Sequence, residues 1–234
     1  MAKYMIHTYP KRMWYVEEYL VPSMIEQGID RHDIVIWNDD KGHGNLLSCM
    51  ESFESLGDVG GTWHLQDDVV ISKDFKKNTE NNDVGIVCGF CNDTFDKENV
   101  NLIGIVPVRW AWFSFPCIRI PNKYAKECAE WYFNEVIPND LHEDLTKEGK
   151  NDDAMWKAFI LEKHSDETCY NFIPNLVDHI DYLIGGSITN PQRDGSRRGY
   201  RFNENDVVEE LEKKLKERNS ADTEPRQKRS RKRR

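Results

Sequence analysis

The sequence predicts an α/β protein with a mixed, mainly parallel sheet flanked by helices. Three observations point there. The first 70 residues alternate strand, helix, strand, helix and strand patterns, the order expected of a parallel sheet with crossover helices. Each of those strands ends in a polar segment, "TYPKR", "NDDKGHGN" and "QDD", so polar groups converge at one sheet edge, where open α/β sheets place their ligand crevice. The chain has 234 residues with seven Trp and 11% aromatics, enough apolar surface for one domain with a core.

The elements follow in order. "KYMIHT" (3–8) reads as the first strand, ended by Pro10. From 13 to 27, Met13, Val16, Leu20 and Met24 share one helical stripe that Pro22 bends or interrupts. "DIVIW" (33–37) is a continuous apolar run suited to a strand covered on both faces. A helix is expected over 45–57, a break at Gly60 and Gly61, and a third strand at "TWHLQ". "VGIVCGF" (84–90) and "VNLIGIV" (100–106) read as strands, and "RWAWFSFPCIRI" (109–120) as an aromatic, extended segment. Helices are expected over 122–136 and 152–164, and short strands at "CYNFI" and "LVDHIDYL". A Gly- and Arg-rich loop spans 185–200. The last helix, about 204–218, carries Val207, Val208, Leu211 and Leu215 on one face, with its acids early and its bases late, as the helix dipole favours. The expected organisation is a single catalytic-sized domain over 1–202, an amphipathic helix docking on it over 203–218, and a disordered basic tail over 219–234.

The net charge of −9 combines two regimes. The last nine residues, "RQKRSRKRR", hold seven Lys or Arg; without them 25 basic residues face 41 acidic ones, a net of −16. Such a body repels nucleic acid on average, whereas the tail attracts it or serves as a solvated terminus. Only Cys88 and Cys91 of the six cysteines sit at CxxC spacing, with no second pair for a zinc site. Free buried thiols in a reducing compartment are the expectation. No apolar run approaches the ~20 residues of a membrane helix. The N-terminal residues carry no secretory pattern, so a cytoplasmic location is expected.

Three segments bear on chemistry. "WHLQDDVVISKDF" (63–75) puts Asp67 and Asp68 side by side, where like charges repel unless a cation or hydrogen bonds stabilise them. A solvated corner and a metal site are the two readings. Neighbours on a strand point to opposite faces, so the chain turns there or only one acid is a ligand. "PNLVDHID" (174–181) supplies His179, either a hydrogen-bonded strand histidine or a metal ligand. "KNDDAMWKAF" (150–159) puts Asp152 and Asp153 at a helix start, where carboxylates are favoured as caps. Alternation sends Trp110 and Trp112 to one face, either into the core or against a sugar or base.

Together, a first loop with Pro10 and Arg12, an acid after the second strand and an acidic pair after the third resemble the nucleotide-sugar glycosyltransferases of the GT-A fold, which is Rossmann-like. The resemblance runs from residue 3 to about 190. "HLQDDVVISKDF" is similar to the metal-binding segment of small glycosyltransferases, including many encoded by phages. The family motif is usually written Asp-x-Asp, and Gln66 stands at its first position here. The resemblance implies a nucleotide-sugar donor, most often a UDP-sugar, and Mn²⁺ or Mg²⁺ held by Asp68 and His179. Imidazole suits Mn²⁺ better than Mg²⁺. It implies donor contacts from Thr8, Tyr9, Pro10, Arg12, Gln66 and Asp67, with Asp39 or Asp40 reading the uracil or ribose. Ser187 and Arg193, after the histidine, would meet the diphosphate. An acid at the helix start would be the general base, Asp153 first and Asp152 second.

The basic tail suggests DNA carrying a hydroxymethylated pyrimidine as acceptor, with phosphates held by the tail and Trp110 or Trp112 stacking on a base turned out of the duplex. A polysaccharide or protein acceptor is the alternative. A nucleotidyltransferase would show a glycine-rich phosphate loop where this chain has "HTYPKRMW". A non-enzymatic nucleic-acid-binding protein needs neither the acidic pair nor the late histidine.

Overall fold

The computed structural model describes residues 4–80, 84–91, 103–108, 115–146, 152–186, 202 and 204–223. The chain separates into two units, Met1–Asn203 and Glu204–Arg234. In the first unit the strands are β1 (Tyr4–Thr8), β2 (Ile34–Asn38), β3 (Gly61–Gln66), β4 (Val69–Ile71), β5 (Ile86–Cys88), β6 (Gly104–Val108), β7 (Cys117–Pro121), β8 (Cys169–Ile173) and β9 (Val177–His179). Seven of them form one sheet in the order β2-β1-β3-β7-β5-β8-β6, while β4 and β9 pair separately.

The α/β class expected from the sequence is present, and the sheet is mixed. β1 runs parallel to β2 and β3, and β5 to β8. β7 runs antiparallel to both β3 and β5, and β6 antiparallel to β8. The parallel trio coincides with the stretch where helix and strand patterns alternate, because parallel neighbours need a crossover. The alternation stops after β3, and so does the run of parallel pairs.

β2 departs from its expected burial. Ile34 is buried, but Val35, Ile36 and Trp37 are half-buried. The strand lies at the sheet edge, with β1 as its one neighbour among the described residues, and the half-burial of its residues shows less cover than expected.

The helices begin with α1 (Met13–Tyr15), a π-helical turn (Val16–Leu20) and α2 (Val21–Glu26) in unbroken succession. The interruption expected at Pro22 is this π turn. Proline lacks the N–H an inner helical turn needs, and here it falls in the first turn of α2. α3 (Asn45–Glu54) starts after Gly44, whose φ of 84° favours glycine. α4 (Phe75–Glu80) and α6 (Glu143–Thr146) are short and were not expected. α5 (Asn122–Trp131) continues into a second π turn, Tyr132–Val136, and α7 covers Asp152–Lys163.

Leu46, Met50 and Phe53 of α3, Ala125 and Trp131 of α5, and Trp156 and Phe159 of α7 form one buried cluster with Ile118 and Ile120 of β7. Elsewhere the Tyr4 ring lies 5.9 Å from Phe75, and the Tyr4 hydroxyl meets Thr79 at 2.8 Å. All six cysteines are free and buried. In the second unit α8 (Asn205–Thr223) runs five residues beyond the helix end expected at 218. Residues 224–234 of the basic tail lie outside the described residues. No helix among those described is long and apolar enough to cross a membrane.

Candidate active site

β1 and β3 end side by side. Their ladder closes at His7↔Gln66, and the next residues on each strand are Thr8 and Asp67. The Thr8 hydroxyl donates to Asp67 Oδ2 at 2.8 Å. Asp67 and Asp68 then form a turn that takes the chain out of the main sheet and into β4. Both acids are buried, at 4% and 8% exposure, so the pair is not a solvated corner.

Arg12 relieves their repulsion. It follows the turn after β1, where its N–H donates to the Tyr9 carbonyl at 2.9 Å. Its Nη1 donates to Asp67 Oδ1 at 2.9 Å and to Asp68 Oδ2 at 2.8 Å. Nη2 donates to the Gly186 carbonyl. The guanidinium is 2% exposed and directed wholly inward. Two buried charges of one sign require such a partner.

The small sheet brings in the imidazole. Val69 pairs with His179, and the Ile180 N–H donates to the Asp68 carbonyl at 2.8 Å. His179 Nε2 thereby lies 3.3 Å from Asp68 Oδ1, and its Nδ1 lies 3.3 Å from Asp181 Oδ1. Asn175 anchors the strand entry, accepting the Cys91 N–H at 3.3 Å and donating to the Cys91 carbonyl at 2.7 Å.

These neighbours set the protonation states. Burial would raise Asp68, but His179 and Arg12 outweigh it and hold the carboxyl well below the usual range. Burial, then the charge of Asp68, pushes Asp67 up to about 6 against the pull of Arg12 and Thr8. His179 rises to about 9, because Asp68 and Asp181 overcome the burial that would lower it. Asp181 stays below its ordinary value, since His179 outweighs burial.

A divalent cation fits this arrangement through two residues. Asp68 Oδ1 is buried and accepts no hydrogen bond, since Nε2 stands at ion-pair distance without hydrogen-bond alignment. A carboxylate on the far ring nitrogen is how metal-binding histidines are commonly oriented, and Asp181 stands beside Nδ1 at ion-pair distance, without hydrogen-bond alignment. Among the described residues no three ligating side chains gather. Water and ligand oxygens would therefore complete the shell.

The helix-start acids separate. Asp152 is buried at 8% exposure and is pushed up to about 7, first by burial, then by Asp153, with Asp68 adding to the rise. Asp153 is exposed, and its carboxylate accepts the Ala154 N–H at 2.8 Å.

Other expected site residues are spread more widely. Tyr9 is half-buried, its ring 5.6 Å from the Arg12 guanidinium, and Pro10 is exposed. The Gln66 N–H donates to the Pro116 carbonyl at 3.2 Å. Arg12 and Asp67, both expected to contact a donor, bond to each other. Asp39 and Asp40 lie one strand away, where the Asp39 N–H donates to the Thr8 carbonyl at 2.8 Å. The Asp39 carboxylate is taken up by the N–H groups of His43 and Gly44, both at 2.8 Å, whereas Asp40 is exposed. Ser187, Arg193, Trp110 and Trp112 lie outside the described residues.

Three groups were missed in the sequence. Asp181 carried a readable signal, a carboxylate two residues after the histidine. Tyr15, whose hydroxyl donates to the Val69 carbonyl at 2.8 Å beside the acidic turn, carried none. Neither did the Gly186 carbonyl. No protein-family model matches the chain, and no curated protein matches it.

Proposed function

We propose that the protein is a metal-dependent glycosyltransferase, moving a sugar from a nucleotide-sugar donor to an acceptor hydroxyl. The observation that carries this reading is the meeting of Asp68 Oδ1 and His179 Nε2, 3.3 Å apart, with the buried carboxyl of Asp152 close enough to feel the charge of Asp68. Asp68 and His179 would hold Mn²⁺ or Mg²⁺. A cation bound there stabilises the negative charge of a diphosphate leaving group.

The chain's own groups do the rest. Thr8 and Arg12 fix the acidic turn so that Asp68 Oδ1 stays aimed at His179, and Asp181 places a second negative charge beside the ring. We assign the general base to Asp152, because a buried carboxyl near pH 7 suits proton transfer at neutral pH and the exposed Asp153 does not. In a direct displacement the acceptor hydroxyl gives its proton to Asp152 as its oxygen bonds to the anomeric carbon. The bond from that carbon to the diphosphate oxygen breaks, and its electron pair leaves with the diphosphate.

Alanine at Asp68 tests the reading. Turnover of UDP- and GDP-sugars with Mn²⁺ should fall at least about 100-fold, as for loss of a principal electrostatic stabiliser. Full activity would sink the proposal. A DNA acceptor with a hydroxymethylated pyrimidine remains the acceptor proposal drawn from the basic tail. Deleting residues 226–234 should remove salt-sensitive DNA binding, and unchanged binding would reject the tail as a tether.

A further inference from the structure

β1 lies between β2 and β3, and every residue of it is buried except His7, the last but one. The ladders set His7 level with Trp37 of β2 and Gln66 of β3, which are half-buried too. Residues paired across parallel strands point to the same face, so the three side chains form one row near the carboxyl ends of the strands. That is the edge at which such sheets place their ligands.

His64 identifies the face. It pairs with Ile118, a member of the buried cluster that α3, α5 and α7 form with β7, and its ring lies 5.0 Å from that of Phe53 in α3. The Phe53 ring in turn lies 5.8 Å from Trp156, one helical turn after Asp152 in α7. His64 is level with Met5, two residues before His7, so both histidines face this side. His7 therefore shares the side of the sheet on which Asp152 opens α7, whereas Thr8, the next residue, points to the other side.

The two imidazoles meet, His7 Nε2 to His64 Nδ1, at 2.9 Å. One proton lies in that contact, and its owner fixes what His7 offers. His64 Nε2 is buried and has no partner. If His7 owned the proton, His64 would carry an orphaned N–H in the core; if His64 owns it, Nε2 is a bare lone pair. Buried N–H groups without an acceptor are the rarer case in proteins. His64 then donates, and neutral His7 carries its own proton on Nδ1. That nitrogen makes no hydrogen bond among the described residues and is not sealed from solvent. Burial holds His7 down to about 4 and His64 well below its ordinary value, so neither ring is charged near neutrality.

A neutral N–H brings no charge to a phosphate. It matches a hydroxyl, whose oxygen accepts it while the hydroxyl proton is donated elsewhere. Resting on the glycosyltransferase reading, we propose that His7 binds a hydroxyl of the transferred sugar through Nδ1–H, with His64 as the positioning residue that holds its tautomer. The side shared with Asp152 favours this sugar over the ribose, because the anomeric carbon lies between the diphosphate and the general base.

Calorimetric titration of the full chain with UDP, GDP and a panel of their sugar conjugates, in the presence of Mn²⁺, tests this. His7→Phe should weaken the sugar nucleotide that the parent binds best about 2- to 10-fold, the range of one hydrogen bond, and leave the matching diphosphate unchanged. His7→Gln, which keeps an N–H donor, should recover part of the loss. Nitrogen-15 spectra of the unaltered chain should show His7 protonated at Nδ1, and His64→Phe should mix its two tautomers. Protonation of His7 at Nε2 overturns the inference. So does a His7→Phe that weakens the diphosphate as much as its sugar conjugate, because that assigns His7 to the ribose or to folding, and so does one that weakens neither. Each of these outcomes leaves the glycosyltransferase reading standing. Absence of binding by every nucleotide in the parent overturns both.

Discussion

Two pairs of adjacent aspartates belong to the proposed site and differ in almost every physical respect. Asp67 and Asp68 occupy a turn between strands, both are buried, and one arginine nitrogen bridges them. Asp152 and Asp153 open a helix; one is buried and the other faces solvent. Asp68 is held low by His179 and Arg12 despite its burial, while Asp152 is raised to about 7 by burial and its acidic neighbour. The first acid is a permanent anion suited to a cation. The second can take up a proton near neutrality. A shared Asp-Asp signature therefore yields opposite chemistries, and the nearby positive charge decides which.

Removing the base should have the largest effect. Asp152→Asn is expected to slow sugar transfer about 10²- to 10⁴-fold, the range of general base catalysis, with donor affinity unchanged in calorimetry. An unaltered rate would return the role to Asp153.

Arg12→Met makes the first pair resemble the second by removing its bridging cation. Breaking a buried ion pair from one side costs about 3–5 kcal/mol. For a chain of this size the midpoint of thermal unfolding should drop by roughly 10 °C. Saturating Mn²⁺ should restore part of the loss. An unchanged midpoint would mean that Arg12 is not the counter-ion.

A smaller effect follows from pH. Asp152 has a folded-state value of about 7 against an ordinary 3.8, so between those values the native chain holds more protons than the unfolded one. Stability then falls as pH rises through that window. Asp152→Asn should unfold a few degrees above the parent at pH 8, with the gap closing near pH 4. Parallel melting curves at both pH values would contradict the raised value. The least change is expected from Asp153→Asn, which should stay within about 0.5 kcal/mol of the parent in denaturant unfolding.

Local signals in the sequence located much of this. The helix expected over 152–164 is observed over Asp152–Lys163, because capping acids and an apolar stretch are both short-range features. The acidic turn after a third strand was legible for the same reason. Strand direction was not: periodicity reports which residues face the core, not which neighbour a strand meets, and β7 runs antiparallel beside β3. The same limit explains β2, whose apolar run suits an inner strand although it lies at the edge. Arg12 is 55 residues from Asp67 in the chain, and nothing near it marks the guanidinium as inward-facing.

The β4–β9 ladder also has a bearing on how the protein is made. Three residue pairs join 69–71 to 177–179, and contacts so distant in sequence wait on closure of the long loop between them. During synthesis Thr8, Arg12 and the acidic turn are available early, whereas His179 arrives late. The growing chain can thus set Arg12 against both carboxylates while the imidazole and the Gly186 carbonyl are still missing. Proximity of Asp68 to His179 is in effect a readout of completed folding, and a chain stalled before the ladder closes would leave two carboxylates facing one guanidinium, without the proposed cation site.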